Sequence, residues 1–249
     1  MSVPVILHIP HASLFIPEEY RREFRLDDAA LRRELFLMTD RYCDRLFTAG
    51  DERVVFPVSR LVCDPERFRD DRDEPMAAVG MGAVYTRCSD GSVLRDVTPA
   101  RREAILRAFY DPHHERLTRS AARCLSARGS CLIVDCHSFS PVPLPHEPEQ
   151  ADDRPDFCIG TDPFHTPPAL ADAAVGFLSG LGYRAALDHP FAGTIVPMAY
   201  YRAEPRVKSI MIEVNRALYM NADGTPRGRF EQVKAALDAM ISKLRQIVD

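Results

Sequence analysis

Three polar clusters in this sequence stand where apolar runs end. Pro10, His11 and Ser13 follow the run at 3–8; Asp135, His137 and Ser138 follow 131–134; Glu213, Asn215 and Arg216 close the run at 208–214. Neutral imidazoles with one carboxylate form the ligand set that leaves a divalent zinc an open position for water, so His11 and His137 are candidate ligands for one metal ion. Taken singly, each histidine reads as a hydrogen-bonded residue beside a loop. Two of them at separate strand ends, with carboxylates nearby, shift the balance towards a metal.

The third ligand stays open between Asp40 and Asp44, four residues apart on a helical pattern and equally able to pair with Arg41 or Arg45 on a solvated face. Asp135 reads either as a strand-end turn residue or as the carboxylate that orients His137 from behind. His113 and His114 are adjacent, and neighbours on a helix point in different directions, which disfavours joint ligation and favours a structural role; they are the reserve candidates for a base. His165, before Thr166 and Pro167, reads as a helix-entry residue. Thiol catalysis by Cys136 beside His137 ranks last, because consecutive strand residues face opposite ways.

The elements that must position these groups alternate. Residues 3–8 read as a buried strand, 27–47 as a first long helix ending at Gly50, and 54–58 as a second strand; 68–96 is charged and irregular. Thr98 before Pro99 marks a helix start, with the pattern running to Tyr110 and a kink or break expected at Pro112. A further helix precedes Gly129, a strand covers 131–134, and a proline-rich loop spans 141–155. Short strands at 157–159 and 184–187 bracket a helix at 168–178, and the strand at 208–214 precedes an amphipathic helix at 230–247. This order predicts one domain over residues 1–249, a three-layer α/β/α fold with a central, largely parallel or mixed sheet whose ligands gather at the carboxyl ends of the strands.

Composition narrows the function classes. The net charge is −4, with 32 basic and 36 acidic residues intermingled along 249 positions, so no basic stripe faces nucleic acid. No apolar run is long enough to cross a bilayer, and no export signal is evident at the start, so a cytoplasmic protein is expected. The seven cysteines contain no C-x-x-C pair, which fits a reduced compartment.

Six segments then occur together in order: Ile6 to Ser13 with Ile16-Pro17, Thr39 to Asp44, Ser59 to Arg67, Asp135 to Ser138, Pro190 to Gly193, and Ile212 to Arg216. Jointly they resemble the N-formylglutamate amidohydrolase family, from His8 to Tyr219. The resemblance implies a phosphorylase/hydrolase-like α/β/α fold and one bound Zn²⁺, in an enzyme hydrolysing the amide of an N-formyl or other N-acyl amino acid. The carboxypeptidase-like metallohydrolases, to which the family is distantly similar, hold zinc with a His-x-x-Glu pair and a later histidine; here Leu14 stands three residues after His11. The resemblance therefore puts Asp40, in its Thr-Asp motif, beside His11 and His137 as ligands, and Glu213 as general base. Arg60, Arg67, Arg216 and Asn215 are expected on the substrate carboxylates, with Gly193 at a close backbone approach.

Overall fold

The computed structural model describes residues 3–147 and 149–248. In chain order its strands are β1 (Val5–Ile9), β2 (Glu52–Val55), β3 (Cys131–Phe139), β4 (Phe157–Gly160), β5 (Ala185–Leu187) and β6 (Val207–Asn215). Its α-helices are α1 (Glu18–Arg21), α2 (Asp28–Met38), α3 (Cys43–Leu46), α4 (Pro99–Ile105), α5 (Asp111–Arg128), α6 (Pro168–Gly180) and α7 (Phe230–Ile247). The six strands form one sheet in the order β2-β1-β3-β6-β4-β5; the first four run parallel, and β4 and β5 run the other way, with β4 antiparallel to β6. The expected three-layer, mostly parallel arrangement is the one observed.

The central strands carry the core on both faces, which is why they read as continuous apolar runs. On one face Leu7, Val134 and Ile212 pack against α3, α6 and α7, whose stripe of Val233, Leu237, Met240, Ile241 and Leu244 recurs at helical spacing. On the other face Ile6, Ile133 and Val207 meet Leu117 and Ala121 of α5. Successive strand residues alternate faces, so His8, Asp135, His137 and Glu213 all belong to this second face, beyond the apolar patch that α5 covers. Cys136 lies on the opposite face, buried among the α6 and α7 contacts, which removes it from His137's surroundings.

Three expectations are corrected. The pattern at 27–47 is not one helix: α2, capped by the Asp27 side chain on Ala30 N (2.7 Å), stops at Met38. Tyr42 then takes a left-handed conformation (φ 68°) before α3 begins. The break occurs because the chain turns to the loop after β1, where Asp40 N bonds His11 O at 2.9 Å. Asp40 is therefore on a loop, while Asp44 is exposed on α3. Pro112 does not break its helix: α4 runs through a π-helical turn at Leu106–Tyr110 straight into α5, and that wider turn, closed by Asp111 N on Leu106 O, stands immediately before the proline. Finally, β3 extends five residues beyond the apolar run, because Asp135 to Phe139 pair with Met211 to Asn215 of β6. The Thr98 cap is present, its hydroxyl accepting from Arg101 N at 3.2 Å.

Gly160, ending β4, lies against the Gly193 carbonyl and Met211, and a Cβ there would overlap both. Gly160→Ala is expected to lower unfolding free energy by about 1–3 kcal/mol, the usual cost of overpacking. Urea denaturation checks this; an unchanged midpoint would show that the loop at Gly193 gives way freely.

Candidate active site

The parallel register sets His137 beside Glu213 and Asp135 beside Met211 at the carboxyl ends of the two central strands. His11 comes from the loop after β1 and Asp40 from the break after α2, tied together by the Asp40 N to His11 O bond. Both histidines turn Nδ1 towards one Asp40 oxygen: His137 Nδ1 is 3.1 Å and His11 Nδ1 3.6 Å from Oδ2. Tetrahedral ligands on zinc bonds of about 2.0–2.2 Å lie roughly 3.3 Å apart, so these spacings suit a shared ion. His11 Nδ1 is buried without a hydrogen-bond partner, as is Glu213 Oε2. A donor set of two imidazoles and one carboxylate with an orphaned nitrogen fits zinc.

Behind each histidine stands a buried carboxylate. His11 Nε2 bonds Asp64 Oδ1 (2.7 Å) and His137 Nε2 bonds Asp135 Oδ1 (3.0 Å), the arrangement that fixes a ligand's tautomer and ring orientation. Asp64 in turn accepts from Arg60 (2.7 Å), the Tyr85 hydroxyl (2.5 Å) and Glu66 N (3.0 Å). Burial opposes ionisation of Asp64, but Arg60 and His11 overcome it and hold the carboxyl well below its ordinary range. Arg95, fully buried, secures the segment by donating to the carbonyls of Leu61 (3.2 Å), Val62 (2.6 Å) and Tyr85 (2.9 Å). Asp135 Oδ2 takes Ile195 N (3.0 Å), which joins the loop containing Gly193 to the histidine support.

Asp40 is stabilised as an anion in the same manner. Burial works against it, while His11, His137 and Arg216 hold its carboxyl below the usual range. Burial pushes the Glu213 carboxyl up to about 8; His137 opposes this and Asp40 adds to it. The resulting cavity, about 530 Å³, is bounded by His11, Asp40, His137 and Glu213 at its floor and by Arg60 and Arg67 on its wall.

The remaining sequence candidates divide. Gly193 borders the cavity with φ 92° and open space where a side chain would be. Arg67 also borders it, and its buried Nε has no hydrogen-bond partner. Asn215 does not line it: its carboxamide bonds Pro155 O (3.0 Å) and caps the 3-10 turn at Arg216–Leu218 by accepting from Ala217 N (3.0 Å). Arg216 reaches the cavity edge, yet donates to Asp40 Oδ1 (3.0 Å), Leu37 O (2.6 Å), and Ser138 Oγ and O (3.2 Å each). His165 is buried between Val207 O and Arg202 N. His114 borders the cavity and bonds Pro65 O (2.9 Å).

Sequence reasoning gave no role to Asp64, Tyr85, Glu66 or His8. Asp64 and Glu66 lie between the two arginines singled out at 60 and 67, so the signal was present. His8, a polar residue inside an apolar strand, was the other available sign.

An α/β/α layering with reactive groups collected at the carboxyl edge of the central strands places the protein among hydrolase-like folds. It belongs to the N-formylglutamate amidohydrolase family, whose sequence profile matches residues 3–220. The fold is similar to that of N-formylglutamate amidohydrolase from Ralstonia eutropha JMP134, with TM-score 0.80 at 20% identity over 99% of this chain and 94% of that one. It is also similar to gene product Atu2144 from Agrobacterium tumefaciens, with TM-score 0.70 at 22% identity over 100% and 90% of the two chains. No curated protein matches the sequence.

Removing Arg216 leaves Asp40 buried without its arginine. Arg216→Met is expected to cost about 3–5 kcal/mol of stability, the range for breaking a buried ion pair. Denaturant unfolding of metal-stripped protein measures it; a loss under 1 kcal/mol would show that the histidines alone carry the Asp40 charge.

Proposed function

We propose that the protein hydrolyses the amide bond of an N-formyl amino acid, N-formylglutamate first, using one zinc ion held by His11, Asp40 and His137. The observation that carries this reading is the convergence of both histidine Nδ1 atoms on Asp40, each ring backed at Nε2 by a buried carboxylate. Bound there, the metal supplies a Lewis acid that polarises the formyl carbonyl and brings the pKa of a water to about 7.

Glu213 performs the proton transfers. Glu213 lines the cavity together with the metal ligands, and in the ionised form it accepts a proton from the attacking water. Burial strengthens the hold of this carboxyl on the proton it receives, and it then delivers that proton to the amide nitrogen as the C–N bond breaks, so that the amine leaves uncharged. Formate and the free amino acid result. Asp64 and Asp135 keep Nδ1 of each histidine free for the ion, and Arg216 keeps Asp40 ionised.

The substrate carboxylates fall to Arg67 and Arg60 on the cavity wall. Arg60 is already engaged with Asp64, whereas Arg67 is the more exposed of the two, borders the cavity, and lies 3.7 Å from Asp64 without a hydrogen bond to it. Arg67 is thus the better placed of the two for a bidentate carboxylate contact. Gly193 admits substrate to backbone contact. The cavity also exceeds what a formyl amino acid fills. About twelve non-hydrogen atoms, each given a water's share of about 30 Å³, occupy about 360 Å³. This leaves room for a longer acyl group.

Formate release from a panel of N-formyl amino acids, with N-acetyl and N-succinyl counterparts, tests the reaction alongside metal analysis. His137→Ala is expected to lose metal and activity together, and full occupancy in that variant would sink the ligand assignment. Glu213→Gln should keep its metal and lose about a hundred- to ten-thousand-fold in kcat. Near-normal turnover would remove Glu213 as the base. Arg67→Ala should raise KM far more than it lowers kcat, because the contact precedes the transition state; an unchanged KM would place the carboxylate elsewhere.

A further inference from the structure

The support behind His137 contains a second group of potential ligands. His8 Nδ1 lies 2.9 Å from Asp135 Oδ1 and 3.1 Å from Glu66 Oε1, and the three ligand atoms fall within 4.8 Å of one another. His8 and Asp135 are fully buried, while Glu66 borders the active-site cavity and is reachable from it.

We propose that His8, Glu66 and Asp135 hold a second divalent transition ion, separate from the one assigned to His11, Asp40 and His137. The alternative occupant is a proton on His8 Nδ1, and the geometry weighs against it. A single N–H there points at Asp135, to which His8 is hydrogen-bonded at 2.9 Å, and reaches Glu66 Oε1, 3.1 Å away, only as a shared contact too poorly aligned to count as a hydrogen bond. A carboxylate oxygen stranded in that way costs on the order of 1–3 kcal/mol or more. One divalent ion would meet all three atoms, and the 3.1 Å between His8 and Glu66 is close to the roughly 3.3 Å edge of tetrahedral ligands.

The far side of His8 is arranged to match. His8 Nε2 is 2.8 Å from His113 Nε2, and His113 sits edge-on to Phe56, buried among apolar groups that disfavour its charging. A neutral His113 accepts from His8 Nε2–H, which frees the His8 Nδ1 lone pair for a metal and fixes the ring. One imidazole with two carboxylates suits Zn²⁺ or Mn²⁺. Such an ion would anchor Asp135, the residue that orients His137, and so brace the first site from behind. The inference concerns metal content and does not depend on which amide is cleaved.

The test is stoichiometry. Chelator-stripped protein is titrated with Zn²⁺, and separately with Mn²⁺, by calorimetry, and bound metal is counted by mass spectrometry after dialysis. Two ions per chain are expected in the parent protein, one in Glu66→Gln, one in Asp40→Asn, and none when the two changes are combined. A parent that saturates at one ion overturns the proposal without any variant, as does Glu66→Gln that still binds two. If the single ion is lost in Asp40→Asn and kept in Glu66→Gln, only the second site falls and the proposed function stands. Two bound ions with no hydrolysis of any N-acyl amino acid would leave this site in place and sink the proposed function.

Discussion

Buried negative charge is the constraint around which the rest of the structure is organised. Asp40, Asp64, Asp135, Glu66 and Glu213 approach one another at the carboxyl end of the sheet, and three of them are nearly or fully removed from solvent. An isolated carboxylate in such surroundings would take up a proton rather than remain charged. Burial pushes the Glu213 carboxyl, with no hydrogen bond to its Oε2, in that direction, whereas Asp64 and Asp40 are held the other way, because Arg60 and Arg216 reach them directly. The arginines available here are fewer than the acids. Histidines make up part of the difference, and a divalent cation is the economical source of the remainder.

That electrostatic demand explains why the supporting structure is rigid where it is. Asp64 sits on a short turn after β2 that a surface loop could not hold in position. Arg95 is buried beneath it with its donors spread over three backbone carbonyls, at a cost in desolvation that only a positional role justifies. Asp135 is held from three directions, by His137, His8 and Ile195 N, so the loop carrying Gly193 and the central strand cannot move independently. The Gly193 loop and the support behind His137 are thereby linked.

The parts of this arrangement that were legible in the sequence are those governed by short-range pattern. Apolar runs located five strands and overlapped the sixth, β2 at Glu52–Val55 against an expected 54–58; capping chemistry located α4, and the strand ends pointed to His137 and Glu213. What could not be read was reach across the fold. The interruption at Thr39 to Tyr42 is invisible in a pattern whose apolar residues continue at helical spacing; it exists because Asp40 must meet His11, and nothing local in the sequence records that meeting. Likewise β3 extends through Asp135 to Phe139 against propensity because β6 offers it a full ladder. Asp64 and His8 escaped notice for a related reason: their partners lie 53 and 127 residues away.

Arg216 shows how residue type alone can mislead about role. An arginine beside a strand-end glutamate, in a chain expected to bind carboxylates, is naturally taken for a substrate contact. In the fold its guanidinium bonds Asp40, the Leu37 carbonyl and Ser138 twice, so four of its five N–H groups are committed to protein. A planar fork anchored at four points recognises one carboxylate, and that carboxylate is Asp40. Arg67 has the opposite character, with a bordering position and an unpartnered Nε. The same side chain thus has two placements: Arg216 is committed to Asp40, and Arg67 borders the cavity without a hydrogen bond to Asp64. The distinction lies in the hydrogen bonds already made, which only the folded chain reveals.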